Sequence, residues 1–168
     1  MAASAQSREH IQQNLAEQAL RRAGCVRLAA LGYSMLPSLW PGEQLTIEVR
    51  TLDQIRCGDI VAFRRLGRLF IHRAIQVEPS PLRVVTRGDA MPAADVPVLG
   101  EELLGVVTAI CGADGRPLPV PRGSRARRLA GLALAYSGKL RSLALRWHAW
   151  RRGPAGDAGA VAKQGSVS

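Results

Sequence analysis

The chain has 168 residues, a length that predicts one hydrophobic core rather than two full domains. Hydrophobic residues make up 47% of it and aromatic residues only 4%, so Leu, Val, Ile and Ala must fill most of the core. This composition is typical of a folded protein and argues against a disordered chain. The formal net charge of +10 favours acidic partners: an anionic membrane face, nucleic acid or an acidic substrate.

The N-terminal residues 1–24 predict a surface helix. Ile11, Leu15 and Ala19 share one stripe, and Gly24 is suited to end the helix. Charged residues interrupt the segment, so we expect neither a signal peptide nor a membrane-spanning helix, and we expect a cytoplasmic protein. One helix is also too little for a helix-turn-helix DNA-binding domain.

Three cysteines are present: Cys25, Cys57 and Cys111. Their odd number and the lack of a CxxC pair argue against a disulfide framework and against a zinc site. Cys25 and Cys111 lie in apolar runs and are predicted to be reduced thiols in the core, which fits a reducing cytoplasm. We expect no metal and no cofactor.

Short apolar runs separated by turn signals follow the first helix. Gly42, Gly58 and Gly67 each stand between two such runs. The pattern predicts a mainly β, barrel-like or folded-sheet core over residues 25–112, followed by a Gly/Pro-rich linker over 113–123. The predicted strands are 25–31, 44–49, 60–64, 69–77, 82–86 and 103–111.

Residues 124–152 predict a basic amphipathic helix, and the Gly/Ala-rich residues 153–168 predict a disordered tail. Tryptophans beside arginines favour a helix that lies flat on an anionic membrane. The same apolar face is equally suited to pack on the β core or on a second copy of the protein. This face comprises Leu129, Leu132, Tyr136, Leu140, Leu143, Trp147 and Trp150.

Ser34 lies in a short segment between Gly32 and Pro37, directly after the first predicted strand. Glycine adopts backbone angles closed to other residues, and proline restricts both itself and the residue before it. The segment therefore predicts a rigid corner that exposes a hydroxyl beside free backbone N–H groups. Such a corner suits a serine nucleophile, although an ordinary turn with a structural serine has the same pattern.

Three sequence blocks carry the polar residues of interest. The first contains Ser34, the second His72, and the third Asp89 and Asp95. In this order and spacing they resemble the S24/S26 superfamily of serine peptidases, which contains signal peptidase I and the LexA-type self-cleaving repressors. The resemblance covers residues 25–111 and implies the folded β-sheet core of that superfamily. The blocks are Gly32–Glu48, Gly58–Ile75 and Thr86–Val107.

The resemblance implies roles for these polar residues. Ser34 would be the nucleophile and His72 the general base, because the endoplasmic-reticulum and archaeal signal peptidases also place a histidine there. The two lysines of the chain lie outside the matched region, so a Ser–Lys dyad has no candidate. Asp95 would orient the imidazole, and Asp89 would be a second essential acid that supports the site or takes that role itself.

The sequence therefore predicts a serine endopeptidase that removes a leader or signal-like segment from a precursor polypeptide. The resemblance implies that Met35 and Leu36 form walls of the substrate cleft, where an extended peptide with small side chains before the cut would bind by strand addition. One alternative is a catalytically silent peptide-binding or regulatory protein of the same fold. Others are a self-cleaving protein and a repressor-like DNA-binding protein, although no specific nucleic acid is expected. We expect peripheral contact with an anionic membrane, if any, through residues 124–152.

Overall fold

The computed structural model describes residues 15–112, 114–137 and 142–147. Within these residues the protein is mainly β, as the sequence predicts. Most observed strands start and end within two residues of their predicted bounds, and the last long strand, Leu103–Cys111, has the bounds predicted for it. The strands are β1 (Cys25–Ala29), β2 (Gln44–Glu48), β3 (Ile60–Arg65), β4 (Arg68–Pro79), β5 (Leu82–Arg87), β6 (Leu103–Cys111) and β7 (Pro117–Leu118).

All strand pairs in the described sheet are antiparallel, and the strand order is β1-β2-β6-β3-β4-β5, with β7 paired to β6. β1 and β5 are the two ends of this order and do not pair with each other, so among the described strands the sheet stays open. The expectation of a mainly β core is therefore confirmed, and the described strands form an open sheet rather than a closed barrel. An open sheet leaves an edge at β1 where another strand could add.

Side chains alternate between the two faces of the sheet and build two hydrophobic clusters. In β4, Leu69 and Ile71 pack against one cluster, while Phe70 packs against the other. The first cluster is centred on Leu45 and Ile47, which are fully buried. Because consecutive residues of β4 face opposite clusters, neighbouring polar residues on this strand reach different environments.

The described part of the N-terminal helix, α1, spans residues 15–23. Its Leu20 is 2% exposed and belongs to the first cluster, and Glu17 pairs with Arg64 of β3. Gly24 has a φ of 74°, and its N–H donates to the Leu20 carbonyl at 2.9 Å, so it ends the helix as predicted. The earlier part of the predicted helix, residues 1–14, lies outside the described residues.

The prediction that Cys25 and Cys111 are core thiols is wrong. Cys25 is exposed and Cys111 is partly exposed. Both lie at strand ends, and β1 is an edge strand whose outer face is open to solvent. An apolar run therefore identified the strands correctly, but it did not show which face of an edge strand the thiol occupies.

The C-terminal region is helical at α2 (Arg125–Tyr136) and at α3 (residues 142–147). The rest of the helix predicted over 124–152 and the whole predicted tail, 153–168, lie outside the described residues. The linker contains β7, which the sequence analysis missed because two residues are too few for a periodic pattern. Within the described part of the chain, each helix falls short of the length and apolar character that crossing a bilayer requires.

Gly131 joins α2 to the β core by close backbone contact. A Cβ added there would lie 2.6 Å from the carbonyl oxygens of both Leu36 and Asp89. Since real Cβ atoms do not approach backbone oxygens so closely, only glycine lets the helix reach this depth. The helix crosses the loop that follows Ser34 at this point.

We expect Gly131→Ala to destabilise the protein, although alanine is the better helix former by about 1 kcal/mol. The added methyl group would push α2 away from the carbonyls of Leu36 and Asp89. Thermal unfolding of this variant beside Ala133→Gly, which changes an exposed position of the same helix, measures the effect. A Tm above wild type for Gly131→Ala would contradict the close packing.

Candidate active site

The loop after β1 forms the corner predicted around Ser34. Gly32 has a φ of 80°, and the Leu36 N–H donates to the Tyr33 carbonyl at 3.2 Å, which turns the chain directly at the serine. Met35 and Leu36 are 5% and 1% exposed and anchor the loop in the core. Ser34 itself remains partly exposed, so its hydroxyl is held on a fixed support.

The third sequence block fixes this corner from the other side. The Ala90 N–H donates to the Ser34 carbonyl at 2.8 Å. A Cβ at Gly88 would lie 2.6 Å from the same oxygen and 3.1 Å from the Ser34 Cβ. Gly88 is therefore required for the close approach of this loop to the serine, which gives a physical reason for glycine in this block.

His72 is 6% exposed and lies in the middle of β4, opposite Val61 of β3. Phe63 and Phe70 contact the imidazole edge-on, each with its ring centroid 6.0 Å away. These two rings stack on each other and limit the positions that the imidazole can adopt. His72 is therefore a buried residue of the sheet and not a surface residue of the hairpin.

The structure brings Ser34, His72 and Asp95 into one hydrogen-bonded chain. His72 Nε2 lies 3.0 Å from Ser34 Oγ, and His72 Nδ1 lies 2.7 Å from Asp95 Oδ2. Because a carboxylate only accepts, the proton of the neutral imidazole belongs on Nδ1. Nε2 is then free to accept the serine hydroxyl proton. This is the arrangement of nucleophile, base and orienting acid that serine catalysis requires.

Asp95 is held as a carboxylate. Its burial alone raises the pKa, but hydrogen bonds from His72 and from the Thr86 hydroxyl, at 2.6 Å, together with the nearby positive charge of Arg65, outweigh that effect. The pKa of Asp95 consequently lies below its ordinary value. A carboxylate that stays ionised keeps its partner imidazole in one tautomer.

Asp89 does not contact His72 but pairs with Arg73, the next residue along β4. Arg73 Nε and Nη2 donate to the two oxygens of Asp89 at 2.8 and 2.7 Å. The other donors reach the carbonyls of Gly58 and Pro121, both at 2.8 Å, and the Ser38 hydroxyl at 3.2 Å. Arg73 is 4% exposed, and all five of its N–H groups are used.

Arg65 anchors the loop that carries Asp95. Its guanidinium makes two hydrogen bonds to Glu102, at 2.7 and 2.6 Å, and donates to the carbonyls of Val96 and Pro97. The hydrogen bond from Arg65 lowers the pKa of Glu102, against the opposing effect of burial. The sequence analysis missed this clamp, because 37 residues separate the pair and no local motif marks it.

A groove of about 790 Å³ opens beside the serine and the histidine. Met35 lines it, whereas Leu36 is not among its lining residues but lies in the core below the serine loop. Residues of α1, β1 and the start of β4 form most of the wall, and many of them are apolar. They include Leu15, Ala19, Val26, Leu28, Leu69, Phe70 and Ile71.

A serine hydroxyl, an imidazole and a carboxylate linked in this order are the groups that serine-dependent acyl transfer uses. Across residues 15–112, 114–137 and 142–147, no group of three or more His, Cys, Asp or Glu side chains is placed to hold a metal ion.

A scan against protein-family models finds no match for this chain, and a search of curated proteins finds none either.

We expect the two aspartates to differ in what they contribute to stability. Asp89→Ala leaves a buried guanidinium without its carboxylate and should cost about 3–5 kcal/mol. Asp95→Ala leaves one imidazole N–H and one hydroxyl unpaired at a partly exposed position and should cost less, about 1–3 kcal/mol. Urea unfolding of both variants checks this order, and a larger loss for Asp95→Ala would contradict it.

Acid should weaken the fold through Asp95 and Glu102. Each carboxyl has a lower pKa in the folded protein than in the unfolded chain, so its stabilisation is fully present above the unfolded value of about 4. That stabilisation is lost as the pH falls through the folded pKa. We expect thermal unfolding to show a lower Tm for Glu102→Gln than for wild type at about pH 7, and the difference in Tm should disappear as the pH falls to about 3. A difference in Tm that does not change with pH would contradict an ionised Glu102 paired with Arg65.

Proposed function

We propose that the protein is a serine endopeptidase that cleaves a leader or signal-like segment from a precursor polypeptide. The observation that carries the proposal is the hydrogen-bonded chain from Ser34 Oγ through the His72 imidazole to Asp95. The resemblance of the three sequence blocks to the S24/S26 peptidases agrees with it, since the same residues meet in space.

In the proposed reaction, the Ser34 oxygen attacks the carbonyl carbon of the scissile peptide bond while His72 Nε2 accepts the hydroxyl proton. The imidazolium, held by the Asp95 carboxylate, then gives this proton to the leaving amine as the C–N bond breaks. A water molecule, deprotonated by the same imidazole, hydrolyses the serine ester and releases the acid product. The chain then returns to its starting protonation state.

The backbone N–H of Ser34 is our first choice to stabilise the oxyanion. Within the described part of the chain, no hydrogen bond from this N–H to an acceptor is found, and it lies on the residue that attacks. A backbone donor fixed by the turn at Gly32 is preorganised, which is the property that stabilises a developing negative charge.

An extended peptide is the substrate form that the groove favours. β1 is the terminal strand of the sheet and pairs with β2 alone, so its outer edge can pair with a substrate strand. Among the described residues, the lining contains Arg27 and Arg68 but no Asp or Glu. We therefore expect precursors with an acidic side chain in the bound segment to be preferred over those with a basic one.

The test is cleavage of an extended peptide library biased to small residues before the cut and divided into acidic and basic halves. We expect wild type to cleave the acidic half faster. Ser34→Ala and His72→Ala should each lower kcat/KM by about 10⁴-fold or more, because neither residue functions without the other. His148→Ala, which changes a histidine outside the three sequence blocks, is the control.

Equal cleavage by wild type and Ser34→Ala would contradict the proposal. Peptide binding that saturates in the groove without cleavage would favour the catalytically silent alternative. A preference for the basic half of the library would contradict the proposed role of Arg27 and Arg68 in substrate binding. It would not contradict the proposed roles of Ser34 and His72.

A further inference from the structure

The exposed side chains that the structure describes on α2 are apolar or aromatic, contrary to what a surface helix normally shows. Leu129 is 68% exposed and Tyr136 is 77% exposed. Among the positions between 126 and 136 whose exposure the structure describes, the other exposed ones are Ala126, Ala130 and Ala133. An ordinary helix on a protein surface turns polar residues outward, so a stripe of this kind marks a surface that meets an apolar partner.

Helix α3 repeats the pattern with a positive charge added. Leu143 is 65% exposed and Trp147 is 50% exposed, and Arg146 is exposed beside them. Tryptophan and tyrosine are the side chains that favour the boundary between hydrocarbon and water, because one end of each is apolar and the other forms hydrogen bonds.

The net charge of the protein is concentrated around these helices. Residues 115–156 contain ten Arg and Lys residues and no Asp or Glu. The rest of the chain holds the other 13 basic residues together with all 13 acidic ones. The whole formal charge of +10 therefore belongs to this one segment, while the β core and the N-terminal region together are neutral.

We propose that the exposed side chains of Leu129 and Tyr136 on α2 and of Leu143 and Trp147 on α3 dock on an anionic phospholipid bilayer. The apolar side chains would enter the headgroup boundary, and the surrounding arginines would pair with lipid phosphates. A second copy of the protein fits less well, since it would bring the same positive charge to the contact. Nucleic acid would use the arginines but not the apolar stripe.

This docking surface is coupled to the proposed catalytic loop, but it does not depend on peptidase activity. Gly131, on the inward face of α2, contacts the carbonyls of Leu36 and Asp89. Leu36 is two residues from Ser34. A protein docked through α2 would therefore hold its serine close to the bilayer surface, where precursors emerging from or bound to the membrane would reach it.

The test is co-sedimentation of the full chain with vesicles of phosphatidylcholine alone and with vesicles of phosphatidylglycerol and phosphatidylcholine in equal parts. We expect binding to the mixed vesicles, little to the neutral ones, and release by high salt. The double variant Leu129→Ser/Tyr136→Ser should bind at least tenfold more weakly. Arg146→Gln alone should weaken binding by about fivefold. Leu66→Ser, an equally drastic change at a hairpin position that is 95% exposed, is the control.

Both residues of the double variant point outward, so circular dichroism and Tm should match those of wild type. Failure of wild type to bind the mixed vesicles, equal binding to both vesicle types, or unchanged binding by the double variant would each overturn the proposal. Sedimentation velocity without lipid tests whether these side chains instead form a contact between two copies of the protein. Self-association that the double variant abolishes, with no vesicle binding, would identify the face as a dimer contact instead.

Discussion

The buried guanidinium of Arg73 is the interaction on which the rest of the site depends. Its five N–H groups reach the Asp89 loop, the serine loop at Ser38, the turn at Gly58 and the linker at Pro121. These segments are far apart in the sequence and lack a common strand. A planar cation with fixed donor directions sets their relative positions, which a lysine with its single flexible ammonium group would not do.

The position of Arg73 beside His72 follows from the alternation of side chains along a strand. Neighbouring residues of β4 face opposite sides of the sheet. The imidazole therefore turns toward Phe63, Asp95 and the Ser34 hydroxyl, while the guanidinium turns toward Asp89 and the Ser38 hydroxyl. One strand thus supplies the proposed base to one face and the main structural cation to the other. A shift of register by one residue would exchange the two and lose both contacts.

The sequence was sufficient to predict the strands, since their apolar runs and the glycines between them are local signals. The resemblance of the three blocks also selected Ser34, His72 and Asp95, and the structure brings Ser34 and Asp95 within hydrogen-bond distance of His72. The contacts that the sequence could not predict are long-range ones. The pairing of Asp89 with Arg73, the clamp of Arg65 on Glu102 and the open edge at β1 all depend on register and sheet curvature. Gly131 could not be explained from the sequence either. Its low helix propensity suggests that it destabilises α2, whereas the close contact with the β core requires a residue without a side chain.

The central claim is that Ser34 is a nucleophile activated through His72 and Asp95. The most direct measurement is intact-mass spectrometry and peptide mapping after treatment with a serine-reactive phosphonate ester, which needs no knowledge of the natural substrate. The account predicts a single adduct on Ser34 rather than on the neighbouring Ser38, with labelling at least 100-fold slower in His72→Ala and abolished in Ser34→Ala, as expected on the order of the contribution of a positioned base. No adduct on Ser34, or labelling at the same rate in His72→Ala, would contradict it.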